Sequence, residues 1–208
     1  MGKVNGYDEE NMWLYSFLFN EPTKIELVIS KLSNINVKIE VHNSPEYIQQ
    51  FYEGYPYDKD DPGSLIIHRI EINLTVHTAR QRKALLFVEK ISSEILSFSM
   101  CFFGAKEDAP EWNQSGVKDE ELDEFVRLLI SLYKELKFCM GGLAIEDDMK
   151  GLFNVNETWP NEKYNFANVT FKDLHKFQAI VINQSLNGKL PEGEFTLIDH
   201  SCILYRNA

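Results

Sequence analysis

The chain lacks most of the residue patterns that announce a chemistry. Only three of its 208 residues are cysteine, Cys101, Cys139 and Cys202. An odd number with no C-x-x-C spacing excludes a disulfide framework and the common thiolate zinc sites. Each lies in an apolar stretch, such as Ser99-Met100-Cys101-Phe102-Phe103, and reads as a buried thiol and not a nucleophile. No G-x-G-x-x-G, P-loop or G-x-S-x-G motif occurs, so no dinucleotide cradle, phosphate loop or nucleophile elbow is indicated. The histidines, His42, His68, His77, His175 and His200, show no i, i+4 pairing and no ligand spacing to a cysteine. Residues 12–19 and 95–105 are the longest nearly apolar runs, and both fall short of the ~20 residues of a membrane helix. The first ten residues carry no apolar signal core, which leads to the expectation of a cytoplasmic protein.

Positive charge is also scarce. Lys and Arg number 21 against 32 Asp and Glu, a net charge of −11. The densest basic stretch, Arg80, Arg82 and Lys83, reads as the solvated face or first turn of a helix, with an anion clamp as the alternative. With no basic stripe, a nucleic-acid partner is not expected, and an acidic balance suits a cationic protein partner or plain solubility.

What is present is a core. Hydrophobic residues are 44% of the chain, enough for a protein of this size to bury most of its unfolded surface. Residues 13–19 read as a strand, and Ile25, Val28, Ile29 and Leu32 recur at helical spacing. Ile35, Val37, Ile39 and Val41 alternate with polar residues, as a strand with one wet face does. Ser44-Pro45-Glu46 opens a helix. Residues 65–76 read as a long strand, 80–91 as a helix and 95–103 as a central strand buried on both faces. Residues 119–136 form the strongest helix, with acids at its start and Lys134 near its end. Strands follow at 139–145, 179–183, 195–198 and 202–206. The expectation is one α+β domain over 1–208, with a mixed or mainly antiparallel sheet and about four helices packed on it. A strand–helix–strand unit recurs with similar character at 13–41 and 95–145, without residue identity between the two.

Chemistry is thin. Asp58-Lys59-Asp60-Asp61 fails as a calcium loop, because Pro62 and Arg69 stand where ligands are needed. Glu146, Asp147 and Asp148 follow a strand directly, and read either as a metal or general-base cluster or as the acidic first turn of a short helix over 149–153. No metal and no cofactor is expected. Two Pro-containing loops mix rings with carboxylates: Tyr55, Tyr57, Asp58, Asp60 and Asp61 in one, Glu107, Asp108, Glu111 and Trp112 in the other. Such loops suit a basic protein partner, since the ring supplies desolvated area and the acid supplies steering. The alternative is that the rings fold back into the core.

The stretch Ser97-Phe98-Ser99-Met100-Cys101-Phe102-Phe103-Gly104, then Glu111-Trp112-Asn113-Gln114-Ser115-Gly116-Val117, a long helix, and Gly141-Gly142-Leu143-Ala144-Ile145-Glu146 resembles the layout of small acidic immunity proteins of bacterial polymorphic toxin systems. The resemblance covers about half the chain. It implies a cytosolic inhibitor that binds a toxin domain without catalysis of its own, and it assigns no binding residues. The expected function is therefore a non-enzymatic protein-binding module. The alternatives are a hydrolase with a dispersed Glu/His site and a structural or regulatory homo-oligomer.

Overall fold

The structure is a computed structural model and describes residues 11–19, 25–189, 195–200 and 202–206. In chain order its strands are β1 (Met12–Phe19), β2 (Lys38–Val41), β3 (Tyr55–Pro56), β4 (Ile66–Ile67), β5 (Arg69–His77), β6 (Gln81–Lys90), β7 (Ile95–Phe102), β8 (Met140–Ile145), β9 (Phe177–Asn183), β10 (Thr196–Asp199) and β11 (Cys202–Arg206). The α-helices are α1 (Ile25–Lys31), α2 (Pro45–Glu53) and α3 (Asp119–Leu136). Nine strands form one sheet in the order β10-β11-β9-β8-β1-β7-β6-β5-β2, and every neighbouring pair is antiparallel. β3 and β4 make a separate hairpin.

The fold is thus α+β with an antiparallel sheet, and α-helices number three among the described residues. The fourth expected helix, over 80–91, is the strand β6, paired on both sides along Gln81–Lys90. Ala84, Phe87, Val88 and Ile91 do fall at helical spacing, but Ala84, Leu86 and Val88 face one side of the sheet while Leu85, Phe87 and Glu89 face the other. A strand buried on both faces has no period-2 signature, so hydrophobic spacing alone could not arbitrate. In the sequence Pro22 suits a first helical position and Asn20 its cap, and both lie outside the described residues.

One sheet face carries the helices. Met12 and Leu14 of β1, Ile70–Val76 alternates of β5, and Leu96, Phe98, Met100 and Phe102 of β7 pack there against Val28 and Ile29 of α1, Ile48 and Phe51 of α2, and α3. α3 forms because Phe125, Val126, Leu129, Leu132, Tyr133 and Leu136 make one buried stripe, with Asp119, Glu120 and Glu121 at the positive end of its dipole. It stops at Lys137, whose left-handed backbone sends its N–H back to the Tyr133 carbonyl at 2.8 Å.

The opposite face is covered only in part. Met149, Leu152, Phe153, Tyr164, Phe166 and Phe171, from the long connection between β8 and β9, pack on Tyr15, Phe17, Ile95 and Met140. On the helix side, Gly141 is required under Phe138, since a Cβ there would stand 2.6 Å from both that ring and the Tyr15 carbonyl. A further cluster of Leu85, Phe87, Cys101, Phe103 and Ala109, with Trp112 packed on it, closes the next part of the opposite face, and beyond it Glu71, Asn73 and Lys83 meet solvent or lie half-buried. No helix among the described residues is long and apolar enough to cross a membrane.

Candidate functional site

A trough runs down this second face, and the register explains it. Tyr15 of β1 sits opposite Ser99 of β7, and Ser99 opposite Phe87 of β6. One row along, Phe17 faces Ser97 and Ser97 faces Glu89, which faces Arg69 of β5. Small side chains on β7 therefore form a floor between aromatic walls on β1 and β6. Ser97 and Ser99 are buried and hydrogen-bonded to each other at 2.9 Å. The result is a cleft of about 240 Å³ walled by Trp13, Tyr15 and Phe87, with Ser99 at its base.

Charges line the same cleft. Glu89, only 4% exposed, is held by Lys150 Nζ at 2.9 Å and Arg69 Nε at 3.4 Å. Arg69 also donates to Glu71 at 2.8 Å and lies over the Phe87 ring at 4.8 Å. Lys150 comes from the 3-10 helix Met149–Phe153 and lies 5.2 Å from the Trp159 ring. Burial, reinforced by the nearby Asp148, pushes the Tyr15 phenol far above its ordinary value, so it stays protonated, a neutral hydroxyl. Apolar residues at these positions would pack more cheaply than a desolvated ion pair. A charged cluster set among buried rings makes this cleft a candidate site.

Of the acidic cluster read from sequence, Glu146 and Asp148 line the cleft's rim. Asp148 also caps the 3-10 helix, accepting the Lys150 N–H at 2.9 Å. Asp147 contributes its carbonyl, 3.4 Å from the Tyr15 hydroxyl. Among the described residues neither Glu146 nor Asp148 has an ion-pair partner.

Arg69 is shared with a second, more open cleft of about 550 Å³, bounded by Tyr47, Gln50 and Glu53 of α2, by Tyr55, and by Glu71 of β5. This one leads to the β3–β4 hairpin. Gly54 fixes the hairpin to the end of α2: at φ 65° it is in the region that favours glycine, and a Cβ would stand 2.6 Å from Ile66. His68 contacts the Phe51 carbonyl through Nδ1 at 2.9 Å. Tyr57 N–H donates to Leu65 O at 2.8 Å, Asp58 N–H to Ser64 Oγ at 2.7 Å, and Asp58 and Asp61 each accept an amide two residues on. The loop is therefore ordered by its own bonds while Tyr55, Tyr57, Asp58, Asp60 and Asp61 remain exposed.

The second sequence-predicted loop is built differently. Trp112 is half-buried and stacks on Phe103 with centroids 3.9 Å apart and planes 2° from parallel. Glu107, Asp108 and Glu111 are exposed, and Asp108 accepts the Gly116 N–H at 2.9 Å. The adjoining basic stretch is not a solvated helical turn. Arg80 and the buried Arg82 both reach Glu121 at the start of α3, at 2.6 and 3.1 Å, so the anion they clamp is internal. That clamp holds Glu121 down to about 2 from its ordinary 4.5, chiefly through the Arg80 hydrogen bonds.

Sequence reasoning missed Trp13, Tyr15, Arg69, Phe87, Glu89, Ser99 and Lys150. The available signal was the alternation of Ser97, Ser99 and Cys101 with Leu96, Phe98, Met100 and Phe102, which marks one face of β7 as small. The chain matches no family model, no curated protein and no solved structure.

Proposed function

We propose that this protein is a non-catalytic binding module for a basic protein, acting as an immunity-type inhibitor of a cationic toxin domain. One observation carries the reading. Of the eight large apolar side chains that are strongly exposed among the described residues, five (Tyr52, Tyr55, Tyr57, Leu65 and Ile66) fall within 52–66. The four on the hairpin are between 45% and 63% exposed. Scattered exposed apolar residues need no explanation, but a concentrated patch does. Here it is interleaved with Asp58, Asp60 and Asp61, on a chain of net charge −11.

The physics of such a patch is specific. A loop already ordered by internal hydrogen bonds loses little entropy when it docks. Its rings supply desolvated area, and its carboxylates attract a cationic face and reject an acidic one. The second loop, with Glu107, Asp108, Glu111 and Trp112, extends the acidic rim in this proposal. Trp112, packed on Phe103, supports the loop's shape more than it offers a free ring.

The test compares two baits in the native host's lysate: the wild-type protein and a variant carrying Tyr57→Ser, Leu65→Ser and Asp58→Asn, Asp60→Asn, Asp61→Asn. The expected outcome is a basic protein retained by the first and lost by the second, with both baits equally folded by circular dichroism. A partner retained equally by both would put the interface elsewhere. Turnover of a small substrate by the purified protein would replace the binding reading altogether.

A further inference from the structure

The inner cleft has a size, a lining and a charge that together select a class of occupant. Its volume of about 240 Å³ is below the ~300–1,000 Å³ usual for cofactor and small-molecule sites. It suits a single inserted side chain better than a nucleotide or a flavin. Three rings, Trp13, Tyr15 and Phe87, line it, and the Arg69 guanidinium already lies over the Phe87 ring at 4.8 Å. Aromatic faces attract cations, and a planar guanidinium most of all.

The charge points the same way. Arg69 and Lys150 are already engaged with Glu89, and Arg69 with Glu71 as well. Glu146 and Asp148 at the rim have no ion-pair partner among the described residues. Counting both clefts, five carboxylates (Glu53, Glu71, Glu89, Glu146 and Asp148) stand against two cations, Arg69 and Lys150. An anionic ligand would meet this excess; a cationic one would relieve it. The wider cleft, which reaches the hairpin at Tyr55, borders the inner one at their shared lining residue, Arg69.

We infer that the inner cleft is a receptor for one cationic side chain, an arginine or a lysine, delivered by the partner that docks on the hairpin. The ring walls stack on the head group, and Glu146 and Asp148 pair with it. The buried Glu89, tied to the half-buried Lys150 and Arg69, holds the walls apart, so that the cavity is open before the side chain arrives. The inference rests on the proposed basic partner, but its test does not need that partner.

The test is a titration of the purified protein with N-acetyl-arginine amide, N-acetyl-citrulline amide and N-acetyl-glutamate, followed by proton–nitrogen correlation NMR. The Trp13 indole N–H is assigned with a Trp13→Phe variant. Citrulline is the neutral isostere of arginine, so it separates charge from shape. The expected result is saturable millimolar binding of the arginine probe, with shifts at the Trp13 indole and the Ser99 and Glu89 amides. Citrulline should bind at least about fivefold more weakly, and raising salt from about 20 to about 300 mM should weaken the arginine probe. Glu146→Gln with Asp148→Asn, in which Asn keeps the helix cap, should weaken it by a similar factor. Equal binding of citrulline, preferential binding of the glutamate probe, insensitivity to the double variant, or no shift with arginine would each overturn the inference. A cleft that ignores arginine leaves the hairpin interface untouched. A hairpin variant that keeps its partner leaves the cleft result untouched.

Discussion

At the scale of single residues, the largest electrostatic consequence lies at Glu121. Arg80 donates to it through Nε at 2.7 Å and Nη2 at 2.6 Å, the Lys118 amide at 2.9 Å, and the 2%-exposed Arg82 at 3.1 Å. Its folded value of about 2 is below the ordinary 4.5. A carboxylate depressed by folding contributes stability in full above its unfolded value and loses it as pH falls toward the folded one. The window is therefore from about pH 4.5 down to about 2, and a shift of this size corresponds to about 3 kcal/mol. Glu121→Gln should destabilise the protein by about that amount at neutral pH, because it also leaves Arg82 buried without its anion. Urea unfolding at a series of pH values should show the gap between wild type and variant closing as pH falls through the window. A gap independent of pH would mean that the pair contributes by shape and not by charge.

The three thiols give a second residue-scale expectation. Cys101, Cys139 and Cys202 are buried, and burial pushes the Cys101 and Cys202 thiols up to about 12. A thiol reagent at neutral pH should find none of them in the native protein, because the thiolate is the reactive form. It should find all three after unfolding without reductant. A count of one after unfolding would mean a disulfide.

At the scale of elements, α3 is the member whose loss the fold should feel most. Leu129 is fully buried in the helix-side core with Phe125, Leu128 and Leu132. Leu129→Ala should cost about 2–5 kcal/mol, read as a lower urea midpoint with an unchanged slope. A midpoint that does not move would contradict the packing. This helix was fully legible, its limits 119–136 included, because its stripe, its acidic start and its basic end agree. β7 and the short α2 were legible for similar local reasons: a run of large residues closed by Gly104, and a Ser44 cap with Pro45 after it. β6 was not, because burial on both faces erases the period that identifies a strand.

That one misreading hid most of the inner cleft. Phe87 and Glu89 are on β6, and placing them on a helix removes the rows that join Tyr15 to Phe87 and Ser97 to Arg69. Lys150 reaches Glu89 across 61 positions of sequence, a pairing that only the sheet order creates. The hairpin was legible as an aromatic and acidic loop, since turn residues and charges declare themselves locally. Whether its rings faced inward or outward was not, and neither was the stacking of Trp112 on Phe103.

At the scale of the whole molecule, the sheet divides the labour between its faces. One face is closed by three helices; the other is closed in part by the β8–β9 connection and keeps a polar trough that borders, at Arg69, the cleft beside an exposed hairpin. With a net charge of −11, the molecule would attract the proposed cationic partner over a range set by salt, about 10 Å at 0.1 M. Steering of this kind acts on association, while packed rings act on dissociation. Tyr57→Ala should therefore speed dissociation of a captured basic partner and leave its association rate nearly unchanged, as surface plasmon resonance would read directly.

The most direct test of the account is the association rate of that partner across ionic strength, for wild type and for Asp58→Asn/Asp60→Asn/Asp61→Asn. The account predicts slower association for the triple variant at low salt, by about tenfold, a flatter dependence on salt, and convergence of the two proteins at high salt. Association that is equally fast and equally salt-sensitive in both would contradict the claim that this hairpin is the surface a basic partner meets.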